Sequence, residues 1–231
     1  MIELEAPVLP ARRYVLAADP ERVERTAETG PVLASRIALS PPAVIPLGEA
    51  LIGDDAELRA FWQAASGAHA FDFLSWVLTF EPAAGEQFER AWLTVQFETG
   101  DASAPAIAWS MQPASLAHNV KLSRTAKLGA GLQLLGLEAS LGEEQVRERA
   151  EHVVRAFRLR SAAPYWAFRR TPSAALEGDF ALRMIVRRPL DRGVDGRFDV
   201  RLTINRRRFL LFERRDQLDQ PAALGFRLGD G

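Results

Sequence analysis

The sequence predicts a mostly β protein: two packed antiparallel sheets, β-sandwich-like, with one or two helices and a proline-rich N-terminal wrap. Three observations carry that reading. After residue 70, apolar side chains recur at every second position in several separate runs, which is the period of a strand with one face in and one face out. Each run presents an apolar stripe that a lone sheet would leave in water, so a second layer must cover it. Seven prolines stand in the first 50 residues, each removing a backbone donor and fixing φ, and long regular elements cannot survive there.

The N-terminal region is therefore read as short edge strands, Arg13–Ala17 and Val32–Leu39, separated by turns and draped over a later core. A helix follows at Asp55–Ala65. Asp54 suits its N-cap, Glu57 lies at capping-box spacing, and Leu58, Phe61, Trp62 and Ala65 fall on one face before Gly67 stops it. The aromatic pair reads as core. Ala70–Phe80 is the most apolar window, at 11 residues with Asp72 inside it. A membrane-spanning helix needs about 20 residues, so a buried strand or core helix is expected here.

Alternation is clear at Trp92–Glu98, where Leu93, Val95 and Phe97 face one way. Ile107, Trp109 and Met111 repeat it beyond the loop Gly100–Pro105. In Ala126–Leu141 the apolar residues Leu128, Ala130, Leu132 and Leu134 are even-numbered, whereas Leu135, Leu137, Ala139 and Leu141 are odd-numbered. The one-residue slip reads as a β-bulge in a long bent strand with a glycine-lined face, Gly129, Gly131 and Gly136, open to close approach by a sheet, partner or ligand. Val146, Ala150, Val153, Val154 and Phe157 predict a second helix over Glu143–Phe157, and Pro164–Phe168 a strand with Trp166 and Phe168 inward. Residues 180–205 read as an antiparallel hairpin, Phe180, Leu182, Met184 and Val186 against Phe198, Val200, Leu202 and Ile204, with Asp195-Gly196 as its turn signal. Each stripe of four represents roughly 6–12 kcal/mol of gross burial before entropy is subtracted.

The 231 residues, 48% hydrophobic and 26% charged, read as a single β-rich domain over 1–231, irregular through residue 50, with any subdivision falling near 100–120. Without cysteine there is no disulfide framework, thiolate metal site or thiol nucleophile. His69, His118 and His152 stand apart in sequence and read as structural or surface histidines, so neither a metal nor a cofactor is expected. The run Gly129–Gly136 lacks the third glycine of a dinucleotide loop at its required place, and no phosphate-binding loop occurs. Asp191, Asp195 and Asp199 are spaced four apart, unlike a calcium loop. No Gly-x-Ser-x-Gly elbow exists, and Ser110, Ser115 and Ser123 are merely near His118 in sequence. An enzyme is the less favoured class, surviving only as a site assembled by the fold.

Charge is unevenly spread. Residues 1–120 carry 7 Arg and 16 Asp/Glu, a net −9, and residues 121–231 carry 22 Arg/Lys and 14 Asp/Glu, a net +8. Three readings compete: the halves pack on each other, the basic end meets an acidic partner such as nucleic acid, or copies associate head to tail. The basic candidates are Arg183, Arg187, Arg188, Arg201, Arg206, Arg207 and Arg208. With an acidic N-terminus in place of a secretory signal, the expectation is a non-enzymatic cytoplasmic binding or assembly module. A protein partner or a second copy leads, nucleic acid is the alternative, and no membrane span is expected.

Overall fold

The computed structural model describes residues 10, 12–15, 17–18, 35–49, 56–98, 104–123, 146–208, 212–219 and 224–229. Two antiparallel sheets face each other. The first contains β1 (Arg12–Val15), β3 (Arg36–Leu39), β5 (His69–Glu81), β11 (Gly178–Pro189) and β7 (Ile107–Gln112) in that spatial order, with β4 (Ala43–Leu47) also on β5. The second runs β2 (Ala17–Ala18), β13 (Phe212–Asp219), β12 (Val194–Arg208), β6 (Glu86–Glu98), β10 (Tyr165–Arg169), β9 (Val146–Phe157) and β8 (Ser115–Ser123), with β14 (Leu224–Leu228) on β12. The mostly β, sandwich-like class read from the alternation is the observed one.

The core lies where the inward stripes meet. Leu74, Trp76, Leu78 and Phe80 of β5 and Leu182, Met184 and Val186 of β11 face Leu93 and Val95 of β6, Trp166 and Phe168 of β10, and Phe198, Val200 and Leu202 of β12. Its centre is aromatic: Trp76 meets Trp166 edge to face at 5.5 Å, and Phe80 contacts Phe88, Phe168 and Phe180. Such pairs add about 0.5–1.5 kcal/mol each beyond their burial. Trp166 also donates from Nε1 to the Pro113 carbonyl at 3.0 Å.

β3 and β4 both pair with β5, interrupted by Pro41-Pro42. Ser40 holds the junction, its backbone N–H donating to the Val77 carbonyl and its hydroxyl accepting from the Val77 N–H. The edge strand read over Arg13–Ala17 is split, β1 joining the first sheet and β2 the second. The helix α1 (Ala56–Ala65) forms as expected.

Three expectations need correction. The helix read over Glu143–Phe157 is instead strand β9 from Val146, paired with both β8 and β10. Val146 and Ala150 are four apart, which suits one face of a strand as well as one face of a helix, and a bulge at Val153 then buries both Val153 and Val154, so the apolar residues together mimic a helical stripe. The hairpin read over 180–205 does not exist, because β11 pairs with β5 and β7 while β12 pairs with β6, β13 and β14. Alternation says which face is apolar and nothing about which strand lies alongside. The glycine of the supposed turn sits inside β12, where a Cβ on Gly196 would fall within the Phe226 ring. Finally, Trp109 does not share the inward face of Met111. Ala108 pairs with Val186 and Ser110 with Ile185, which leaves Trp109 as the extra residue of a bulge, outside the core. The long strand read over 126–141, its bulge, and Gly129, Gly131 and Gly136 lie outside the described residues.

Candidate functional site

The outer face of the second sheet gathers arginines and aromatic rings. With Trp166, Phe168, Leu93, Val200 and Leu202 turned inward, the alternate residues face out. Across the sheet Arg155 is opposite Ala167, Ala167 opposite Trp92, and Trp92 opposite Arg201. The neighbouring rows run Phe157, Tyr165, Thr94, Asp199 on one side and Arg169, Arg90, Thr203 on the other.

Ring contacts fix part of this face. The Arg155 guanidinium lies 5.5 Å from the Phe157 ring centre, Phe157 stacks on Tyr165 at 5.0 Å, and Arg158 lies 5.9 Å from the Tyr165 ring. The following loop is strained, with Arg158 and Arg160 at φ 56° and 63°. That left-handed region costs about 1–2 kcal/mol for a residue with a Cβ. Hydrogen bonds hold it to both sheets: Arg160 N to the Ala108 carbonyl at 2.8 Å, and Phe97 N to the Ala162 carbonyl at 2.9 Å.

Between β9 and β10 this face hollows into a cavity of about 470 Å³, lined by Glu151, His152, Arg155, Arg169, Arg170 and Thr171 among others. Ser115 Oγ and His152 Nδ1 are 2.7 Å apart, and Ser173 Oγ donates to Glu151 Oε2 at 3.0 Å. Among the described residues no carboxylate meets the second ring nitrogen of His152, so the pair is not part of an assembled nucleophile–base–acid triad. A second cavity of about 460 Å³ lies between the Pro82–Phe88 turn and the Arg170–Glu177 loop. On the first sheet, Trp109 stacks with Phe61 of α1 at 5.4 Å and carries Arg160 and Arg187 at 4.9 and 5.4 Å from its ring. The α1 aromatics thus pack on the outside of that sheet, Phe61 remaining 37% exposed.

The seven arginines singled out from the sequence are divided between the layers. Arg183, Arg187 and Arg188 belong to β11 of the first sheet, and Arg201 and Arg206–Arg208 to β12 of the second. Arg188 is no surface residue: its Nε donates to the fully buried Asp72 at 2.7 Å, and its Nη1 to the Pro189 and Arg192 carbonyls. Arg201 faces out, 3.5 Å from Asp199. Arg206, Arg207 and Arg208 pair in register with Arg214, Glu213 and Phe212, and their side chains lie outside the described residues. Sequence reasoning missed Arg90, Arg155 and Arg169, although the outward members of the alternating runs, such as Tyr165, Ala167 and Arg169, could have revealed them.

His118 and His152, distant in sequence, occupy neighbouring strands, His118 opposite Glu151. Among the described residues no group of three or more His, Asp or Glu side chains is placed to hold a metal ion, and no helix is long and apolar enough to cross a membrane.

The geometry defines the class as an antiparallel β-sandwich. No family model and no curated protein sequence matches the chain. Among solved structures it is similar to the Clostridium perfringens NetB toxin in its membrane-inserted form, at 8% identity and a TM-score of 0.32, covering 94% of each chain. A pore-forming protein is similar at 7% identity and a TM-score of 0.33, over 96% of this chain and 94% of that one. Clostridium perfringens delta-toxin is similar at 8% identity and 0.33, over 94% and 86%. Likeness this weak assigns no family.

Proposed function

We propose that the protein is a non-enzymatic, self-assembling module that delivers the segment between β8 and β9 into a bilayer as paired strands. The observation that carries this reading is the β8–β9 register, in which Leu122 meets Arg147 and Ser123 meets Val146. In the proposed membrane-bound form that register continues inward. Leu128 then meets Leu141, Ala130 meets Ala139, Leu132 meets Leu137, and the chain reverses at Leu134-Leu135.

A reversal there accounts for the one-residue slip in the apolar pattern as simply as a bulge does, because antiparallel partners at this register pair even with odd numbers. One face of the hairpin is then leucine and alanine as far as Leu141, with Glu143 opposite Ala126 at its open end. The other carries Lys127, Gly129, Gly131, Gln133, Gly136, Glu138 and Ser140. Apolar-out and polar-in alternation is what a membrane β-barrel requires. Nine positions on each arm, 126–134 and 135–143, match the roughly 9–11 residues a tilted strand uses to cross a bilayer.

Two strands with open edges cannot stay in lipid, so copies must close a barrel together, and about eight strands, four copies, is the smallest closure. Head-to-tail association, one surface of a copy against a different surface of the next, would generate such a ring. The test is release of a trapped dye from phospholipid vesicles, with oligomers resolved by electrophoresis after crosslinking. Release accompanied by oligomers is expected. An intact dye load with a monomer at every concentration would overturn the reading.

A further inference from the structure

We propose that the cavity between β9 and β10 is an oxyanion site for a phosphate ester, gripped by Arg155 and Arg169 with His152 in its lining. Both arginines line the same cavity of about 470 Å³, within the usual range for small-molecule sites. Ala167 lies opposite Arg155 in the register, and its short side chain lines the same cavity.

The positive charge outweighs the negative in this lining, where Glu151 stands against Arg155, Arg169 and Arg170. Among the described residues neither Arg155 nor Arg169 has a carboxylate partner, in contrast to Arg188, Arg197 and Arg227, each of which does. Arg170 meets Glu89 at 3.7 Å. Glu151 is the acid in the lining, and its Oε2 already accepts from Ser173. Like charges gathered around a recess repel one another until an anion enters, and guanidinium forks match phosphate oxygens in a bidentate way. His152 engages Ser115 through Nδ1 and keeps Nε2 for the ligand.

The same chemistry serves a lipid headgroup or a soluble phosphate ester. This inference stands apart from the membrane reading and can survive its failure. Inorganic phosphate, titrated calorimetrically at constant ionic strength, should bind saturably. Arg155→Gln and Arg169→Gln should each weaken it roughly tenfold or more, as expected for loss of a charge-assisted bond. Ala167→Leu, which enlarges a lining side chain and keeps both charges, should do the same, with circular dichroism verifying that each variant folds. Arg183→Gln, exposed on the other sheet, should leave binding unchanged. Vesicles of phosphatidylcholine with and without phosphatidate separate the sources. Phosphatidate-dependent binding lost in both arginine variants identifies a headgroup, and phosphate binding with no vesicle preference identifies a soluble ester. Unsaturable phosphate binding by the natural protein, or an equal loss in Arg183→Gln, would overturn the proposal.

Discussion

Replacing Asp72 by Ala isolates a buried charge and tests how the two layers are joined at one end. Asp72 Oδ2 accepts from Arg188 Nε at 2.7 Å, and the two side chains are 1% and 11% exposed. Arg188 also reaches the carbonyls of Pro189 and Arg192, so the pair ties β5 to the link that carries the chain from one sheet to the other. A Cβ on Gly229 would fall inside the Arg188 guanidinium, which places the end of the β14 segment against the same group. Removing one partner of a buried pair costs about 3–5 kcal/mol, because the other charge is stranded. For a chain of this size that corresponds to a fall in Tm of roughly 6–20 °C.

The arrangement also predicts an asymmetry. Asp72 Oδ1 has no hydrogen-bond partner, so the pair is incompletely satisfied, and an apolar replacement of both residues should recover much of the loss. Thermal and urea unfolding of Asp72→Ala, Arg188→Leu and the double variant measure this directly. The double variant should be more stable than Asp72→Ala alone. A cost below about 1 kcal/mol for Asp72→Ala, or strictly additive losses in the double variant, would refute the reasoning.

Further outcomes follow from the packing. Gly196→Ala should destabilise by about 1–3 kcal/mol through overpacking against Phe226, measured by urea unfolding, and the cost should largely vanish in a Phe226→Ala background. Trp166→Ala removes a fully buried indole and its bond to the Pro113 carbonyl. It should cost about 3–5 kcal/mol and broaden the near-ultraviolet dichroism. Oligomers formed through opposite charges should dissociate as salt rises toward about 0.5 M, where screening shortens the Debye length. Light scattering that stays constant over that range would exclude a charge-driven contact.

The layered β architecture was legible because each strand must be apolar on one side. Leu93, Val95 and Phe97, or Trp166 and Phe168, announce that side directly. Strand neighbours were not legible. β11 and β12 carry equally good stripes, and nothing local distinguishes pairing with each other from facing each other across a core. In both β9 and β7 a one-residue bulge, at Val153 and at Trp109, shifts the phase without changing composition, so the alternation of a strand is broken in the sequence. The cavity arginines were hidden for a related reason. Arg155 and Arg169 stand 14 residues apart in sequence and come to one cavity only through the pairing of β9 with β10, whereas the seven arginines from Arg183 to Arg208, dense in sequence, are divided between two layers.

The absence of cysteine permits the most direct test of the membrane reading: single cysteines placed one at a time across residues 126–143, each labelled with a polarity-sensitive dye and exposed to vesicles. The account predicts a lipid signal at even positions through 134 and at odd positions from 135, with the intervening positions reporting water. A uniform signal along the segment, or spectra unchanged by vesicles, would contradict it.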